Sequence, residues 1–147
     1  MPYIYPEVDK LLNQPLMGTG TCVDLIKALV PGLKGKSTAA WKQGANVMEA
    51  FKGGQSFARG TAIATFDKGR FPKSCEAGYQ GSCHHAALLL RVMPSGIWVM
   101  DQYNTDDKRM FISSRFMRVP APRTEKLGDG RYRNAGNNPL AFYVIEQ

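Results

Sequence analysis

Histidine and cysteine are scarce in this chain of 147 residues, which holds two of the first and three of the second. The cysteines form no CxxC pair, so the chain lacks the usual spacing of a structural zinc site. No apolar run approaches the ~18 residues of a membrane-spanning helix, so no membrane span is expected. The opening "MPYIYPEVDKLL" has neither the basic start nor the apolar core of a signal peptide, and export by another route is the expectation. No internal repeat, low-complexity tract or linker divides the chain. It is therefore read as one domain, 1–147, long enough to bury a sizeable core.

Acidic residues are also in the minority. Lys and Arg number 19 against 12 Asp and Glu, a formal charge of +7. A basic surface suits a polyanion such as nucleic acid, an anionic membrane or an acidic cell-wall polymer. The positive residues are scattered without a block of like charge, so charge alone selects none of these, and a solvated surface with no dedicated partner stays open.

The segment "GTGTCVDLIKALVPG", 18–32, carries the clearest local pattern. Leu25, Ile26, Leu29 and Val30 follow Cys22 at helical spacing, Pro31-Gly32 stops the run, and Thr19 or Thr21 can cap its start. Cys22 thus falls in a first helical turn, where free N–H groups and the helix dipole favour a thiolate. A small residue buried under a helix is the commoner fate of a cysteine, so a partner has to be found.

Around this helix, "EVDKLLN", 7–13, predicts a short helix, and "STAAWKQGANVMEAF", 37–51, predicts a second with Ser37 as cap. "GTAIATF", 60–66, reads as a strand, followed by a loop from Asp67 to about Ser82. His85–Val92 and Ile97–Tyr103 read as a hairpin joined by "MPSG". A further strand is expected over 109–119, bulged at Ser113-Ser114. After an irregular loop over 123–139, "LAFYVIE", 140–146, is a last strand. Helices first and strands after give an α+β fold, with the Cys22 helix packed on an antiparallel sheet.

The only histidines are adjacent, in "GSCHHAALLL". Alternation along a strand sends His84 and His85 to opposite faces, and His85 shares its face with the small Ala87, which leaves room for a helix end. A base of this kind needs a third group to orient it. "GIWVMDQY" offers Asp101 or Gln102. If paired residues across the hairpin sum to an even number, Asp101 shares the face of His85; an odd sum substitutes Gln102, and periodicity leaves the register open. A carboxylate is the better orienter, because it stabilises the imidazolium that accompanies a thiolate.

"GTCVDLIK", "GTAIATF", "HHAALLL" and "GIWVMDQY" together resemble, in order and spacing, the NlpC-type and CHAP cell-wall peptidases of the papain-like superfamily. The likeness runs from about Gly18 to Arg118, and is nearest to the amidase effectors of type VI secretion, particularly their third family. It implies a papain-like, NlpC-type domain with Cys22 as nucleophile, His85 as general base and Asp101 as orienting residue, with no cofactor or metal. The Cys22 N–H would help hold the oxyanion. Peptidoglycan is the implied substrate, with the cross-link between diaminopimelate and D-alanine favoured over the D-glutamyl–diaminopimelate bond. The implied partners are the type VI apparatus and a cognate immunity protein, with action in the periplasm of the target cell. A papain-like deamidase toxin acting on a protein, or a non-catalytic basic module binding wall or nucleic acid, are the alternatives.

With Cys22 reserved for chemistry, Cys75 and Cys83 remain, close in sequence. They can form a disulfide in an oxidising compartment or, with one histidine, part of a metal site that lacks an identifiable fourth ligand. For oxidised protein we expect a Cys75–Cys83 bond and a free Cys22. Intact mass after alkylation, with and without reductant, should show one and then three modified thiols; three in protein recovered from the periplasm would refute the bond.

Overall fold

The computed structural model describes residues 1–103, 110–122, 126–127 and 130–147. Its centre is a six-stranded sheet in which every neighbouring pair is antiparallel. The strands are β1 (Lys42–Asn46), β2 (Thr61–Thr65), β3 (Ala86–Met93), β4 (Gly96–Asp101), β5 (Ser113–Arg118) and β6 (Phe142–Glu146), in the spatial order β1-β6-β2-β3-β4-β5. The helices are α1 (Cys22–Leu29) and α2 (Val47–Lys52). The expected α+β class holds, and the helix over 7–13 shrinks to a 3-10 turn, Val8–Leu11.

Strand alternation gives the sheet two buried faces. Ala62, Ala64, Ala86, Leu88 and Met100 pack with Leu25, Ile26 and Val30 around α1. Ile63, Ala87, Leu89, Val99 and Phe142 pack on the other side with Val47 and Met48 of α2. The alanines under α1 let the helix lie close to the sheet. Val30 ends α1, donating to the Ile26 carbonyl, and Gly32 follows at φ +89°, a conformation suited to glycine.

The helix expected over 37–51 does not form as one piece. Ser37 caps only a 3-10 turn, Thr38–Ala40; Lys42–Asn46 is an edge strand on β6, and the helix begins at Val47. Gly44 is the physical reason. Inside a helix it costs about 1 kcal/mol relative to alanine, whereas here its missing side chain lets β1 approach Glu146 of β6, where a Cβ would collide. Asn46 then caps α2, its Oδ1 accepting from the Glu49 N–H at 3.1 Å.

The "MPSG" turn forms as expected, with Met93 opposite Gly96. The expected bulge at Ser113-Ser114 is absent, since β4 and β5 pair without interruption from Gly96–Arg118 to Asp101–Ser113. Arg109, within that predicted strand, lies outside the described residues, as do 123–125 and 128–129 of the 123–139 loop. The irregularity falls in β3. Near the turn Val92 faces Ile97 and Arg91 faces Trp98, but beyond Leu90 the partners are Leu89–Val99 and Leu88–Met100. Leu90 is the extra residue of a β-bulge.

Cys75 and Cys83 are joined by a disulfide and Cys22 is free. The sulfurs of Cys75 and Cys83 do lie close to a ring nitrogen of His84, but they are bonded to each other, which displaces the metal-site alternative in this state.

Ile26 is fully buried between α1 and the sheet. Ile26→Ala should cost about 2–5 kcal/mol, read as a lower midpoint in chemical denaturation; an unchanged midpoint would mean that α1 is not anchored there.

Candidate active site

The bulge decides which side chain meets His85. From the turn to Arg91–Trp98, paired residues sum to 189, the odd register that would select Gln102; past Leu90 they sum to 188, the even register that selects Asp101. Accordingly His85 Nε2 lies 2.7 Å from Asp101 Oδ2, with both side chains buried. Because Nε2 is engaged by Asp101, the Nδ1 side of the ring is the one left to face the Cys22 thiol, whose ionisation His85 favours. The His85 backbone is pinned at both ends: its N–H donates to Thr65 Oγ1 at 3.0 Å, and its carbonyl accepts from the Thr65 N–H at 3.0 Å.

Gln102 turns to the opposite face and has a different task. Its Oε1 accepts from the Met17 N–H at 2.8 Å, while its Nε2 donates to the carbonyls of Met17 at 2.9 Å and Thr21 at 2.7 Å. It therefore holds the loop that delivers Cys22. Thr21 is the helix cap, its Oγ1 accepting from the Asp24 N–H at 3.3 Å. Thr19 braces the same turn, donating through N–H and Oγ1 to Asp24 Oδ2 at 2.8 and 2.6 Å. Gly18, at φ +56°, leaves space that a Cβ would take from the Asp24 carboxylate.

His84 departs from the expectation that it points away. It precedes β3, so strict alternation does not govern it, and its imidazole contributes to lowering the Cys22 thiol, while its own Nδ1 is buried without a hydrogen-bond partner among the described residues. The ring packs against Phe71 with centroids 5.6 Å apart. Burial pushes the Cys22 thiol up, but the neighbouring His84 and His85 imidazoles, the His85 charge and the Ala86 N–H outweigh it and bring the thiol down to about 6 from 9.0. Burial alone would lower His85, yet Asp101 and Cys22 raise it above its ordinary value. Burial would raise Asp101, but His85 and Arg115 hold it below the usual carboxylate range. The three shifts favour one charge state, thiolate–imidazolium–carboxylate.

Arg115 was not among the residues singled out in the sequence. Its Nε donates to Asp101 Oδ2 at 2.7 Å, and its other arm donates to Asn137 Oδ1 at 2.7 Å. No local pattern links positions so far apart; only the β4–β5 register brings them together.

A free cysteine at a helix start, a histidine whose charge lowers it and a buried carboxylate behind that histidine form the arrangement that cysteine hydrolases use. The family model for domesticated amidase effector 2 matches residues 6–145. A type VI secretion amidase effector 2 protein of Salmonella typhi is 33% identical, with 99% of this chain and 100% of that protein covered. A solved structure of a type 6 secretion amidase effector 2 superposes with a TM-score of 0.79 at 32% identity, covering 99% of this chain and 95% of the other. The chain belongs to the domesticated amidase effector 2 family. It is a type VI amidase effector, a hydrolase acting on peptidoglycan, with the papain-like α+β fold of that class. The matches are all to the second effector family rather than the third, a correction to the subfamily but not to the class. The shared short motifs serve one site chemistry and do not separate subfamilies. Among the described residues no helix is long and apolar enough to cross a membrane.

The charge pattern predicts the pH response. Cys22 should react with iodoacetamide along a curve whose midpoint lies near pH 6, its reactivity lost as pH falls through that value. His84→Ala removes one of the neighbours that lower the thiol and should move the midpoint upward. A wild-type midpoint near 9 would show an unactivated thiol.

Proposed function

We propose that Cys22 is the nucleophile, His85 the general base and acid, and Asp101 the residue that orients and charges the imidazole. The observation that carries this reading is the buried His85 ring, held by Asp101 on one nitrogen and meeting the Cys22 thiol with the other. The thiolate attacks the scissile carbonyl, and the oxyanion is held by N–H groups including that of Cys22 at the start of α1. His85 then gives its proton to the leaving amine. Water, deprotonated by the now neutral ring, releases the acyl group from sulfur. Arg115 keeps Asp101 ionised throughout, so that carboxylate holds the ring without taking its proton.

The bond we assign is the cross-link between diaminopimelate and D-alanine; the resemblance to the cell-wall peptidases supports it. The action is placed in the periplasm of a target cell, where peptidoglycan lies, and an immunity protein covering Cys22 would protect the producer. The surplus of positive charge favours an anionic wall polymer.

Release of soluble peptides from purified sacculi tests the roles, with circular dichroism as the folding control. Cys22→Ala should abolish release, and His85→Ala should lower it about 10²–10⁴-fold. Asp101→Asn should lose less, and it should draw the alkaline limb of the pH profile toward lower pH, since the carboxylate raises His85. A folded Cys22→Ala protein that still cuts sacculi would end this mechanism. Mass spectrometry of the products decides the bond: peptides retaining the cross-link but split after D-glutamate would overturn the assignment.

A further inference from the structure

A cavity lined by residues on either side of the segments that hold His85 contains none of the three residues assigned to chemistry. It measures about 500 Å³, within the range of small-molecule pockets. Two of its walls are joined directly to the groups that fix His85. Phe66 follows Thr65, whose backbone and hydroxyl pin His85, and Cys83 of the disulfide stands two residues before it. Its floor is the edge-to-face pair Phe66–Tyr143, with centroids 6.1 Å apart. Tyr79 fastens the far lip, its hydroxyl donating to the Tyr132 carbonyl at 2.5 Å and accepting from the Ala135 N–H at 3.1 Å.

The charged groups around it are Lys68, Lys126 and Arg131 against Asp67 and Glu76. Arg131 and Glu76 are paired at 3.0 Å, and Lys126 rests over the Tyr132 ring at 5.2 Å. Lys68 has no ion-pair partner among the described residues. Its backbone is the unusual feature. Asp67 and Arg70 exchange both backbone hydrogen bonds, at 2.8 and 3.1 Å, around a two-residue turn whose central residues have φ +51° (Lys68) and +80° (Gly69). Such a turn favours Asn or Gly at its first central position, and a lysine held there is strained. The turn places this cationic residue in the lining of a cavity with aromatic walls, next to the segments that hold His85.

We infer that this cavity is a substrate subsite in which Lys68 receives a free carboxylate of the peptide stem flanking the scissile amide. The inference rests on the peptidoglycan amidase reading and deepens it: the stem peptides carry carboxylates close to the cleaved bond, and a cation over aromatic walls recognises them. The loop 67–82, which the chemistry itself does not require, thereby acquires a role in choosing the substrate.

Binding is measured on the inactive Cys22→Ala protein by calorimetry, using a cross-linked muropeptide and the same muropeptide with its carboxylates amidated. Lys68→Asn is the test variant, because asparagine suits the turn conformation and removes the ammonium and its reach without disturbing the backbone. Lys68→Asn should raise Kd for the free-carboxylate ligand about tenfold. Amidation should weaken binding to the Lys68 protein by a similar factor and add little in Lys68→Asn, and Lys68→Arg should recover most of the affinity. Equal Kd values with and without the Lys68→Asn substitution, or losses from mutation and amidation that simply multiply, would overturn the subsite. Failure of wild-type protein to cut sacculi would instead sink the amidase mechanism, while the binding comparison would still judge the cavity.

Discussion

An ionised carboxylate at the end of a buried strand is the constraint from which this site is built. Asp101 is wholly shielded from water, and a buried charge persists only when opposite charge and hydrogen bonds surround it. One oxygen meets both His85 and Arg115. Arg115 extends to Asn137, whose Nδ2 donates to Asn134 Oδ1; that oxygen also accepts from the Ser82 N–H, and the Ser82 hydroxyl donates to the His84 carbonyl. The chain of bonds therefore returns to the histidines where it began. Groups from β4, β5, the segment leading into β3 and the loop that carries Asn134 and Asn137 share one network, so the imidazole is positioned by the whole end of the sheet.

Much of this was legible from residue order. The stripe behind Cys22, its Pro-Gly stop and the Thr cap are local features, and local features survive folding. The hairpin was equally plain from its turn. What failed involved distant partners. Gly44 looks like a weak point in a helix until β6 is beside it, when it becomes the place where two strands meet closely. Strand alternation sends His84 to the far face, but the strand starts two residues later, at Ala86, so alternation does not place that ring, which packs on Phe71 and still contributes to lowering Cys22. Asp101 and Gln102 could not be ranked by periodicity because both faces of β4 are buried; they serve different elements, one the imidazole and the other the Cys22 loop.

The disulfide shows a related limit. Sequence proximity made the Cys75–Cys83 pairing a natural expectation, but not its position. It lies in the wall of the cavity and two residues from His85, so it ties the loop over 67–82 to the segment that carries His85. The same loop is fastened on its other side through Tyr79.

The bulge at Leu90 has a consequence for how such a chain can change. One inserted residue sets the parity of everything beyond it, so the carboxylate and the amide at the end of β4 are assigned to their faces together. Losing that residue would exchange them in a single event, placing an amide behind the imidazole and a carboxylate against the Met17 and Thr21 carbonyls. Neither half of the site would survive, and no point substitution at 101 or 102 alone would repair both. Insertions and deletions in this hairpin are thus tolerated only in compensating pairs, whereas a substitution that keeps the residue count leaves the parity untouched.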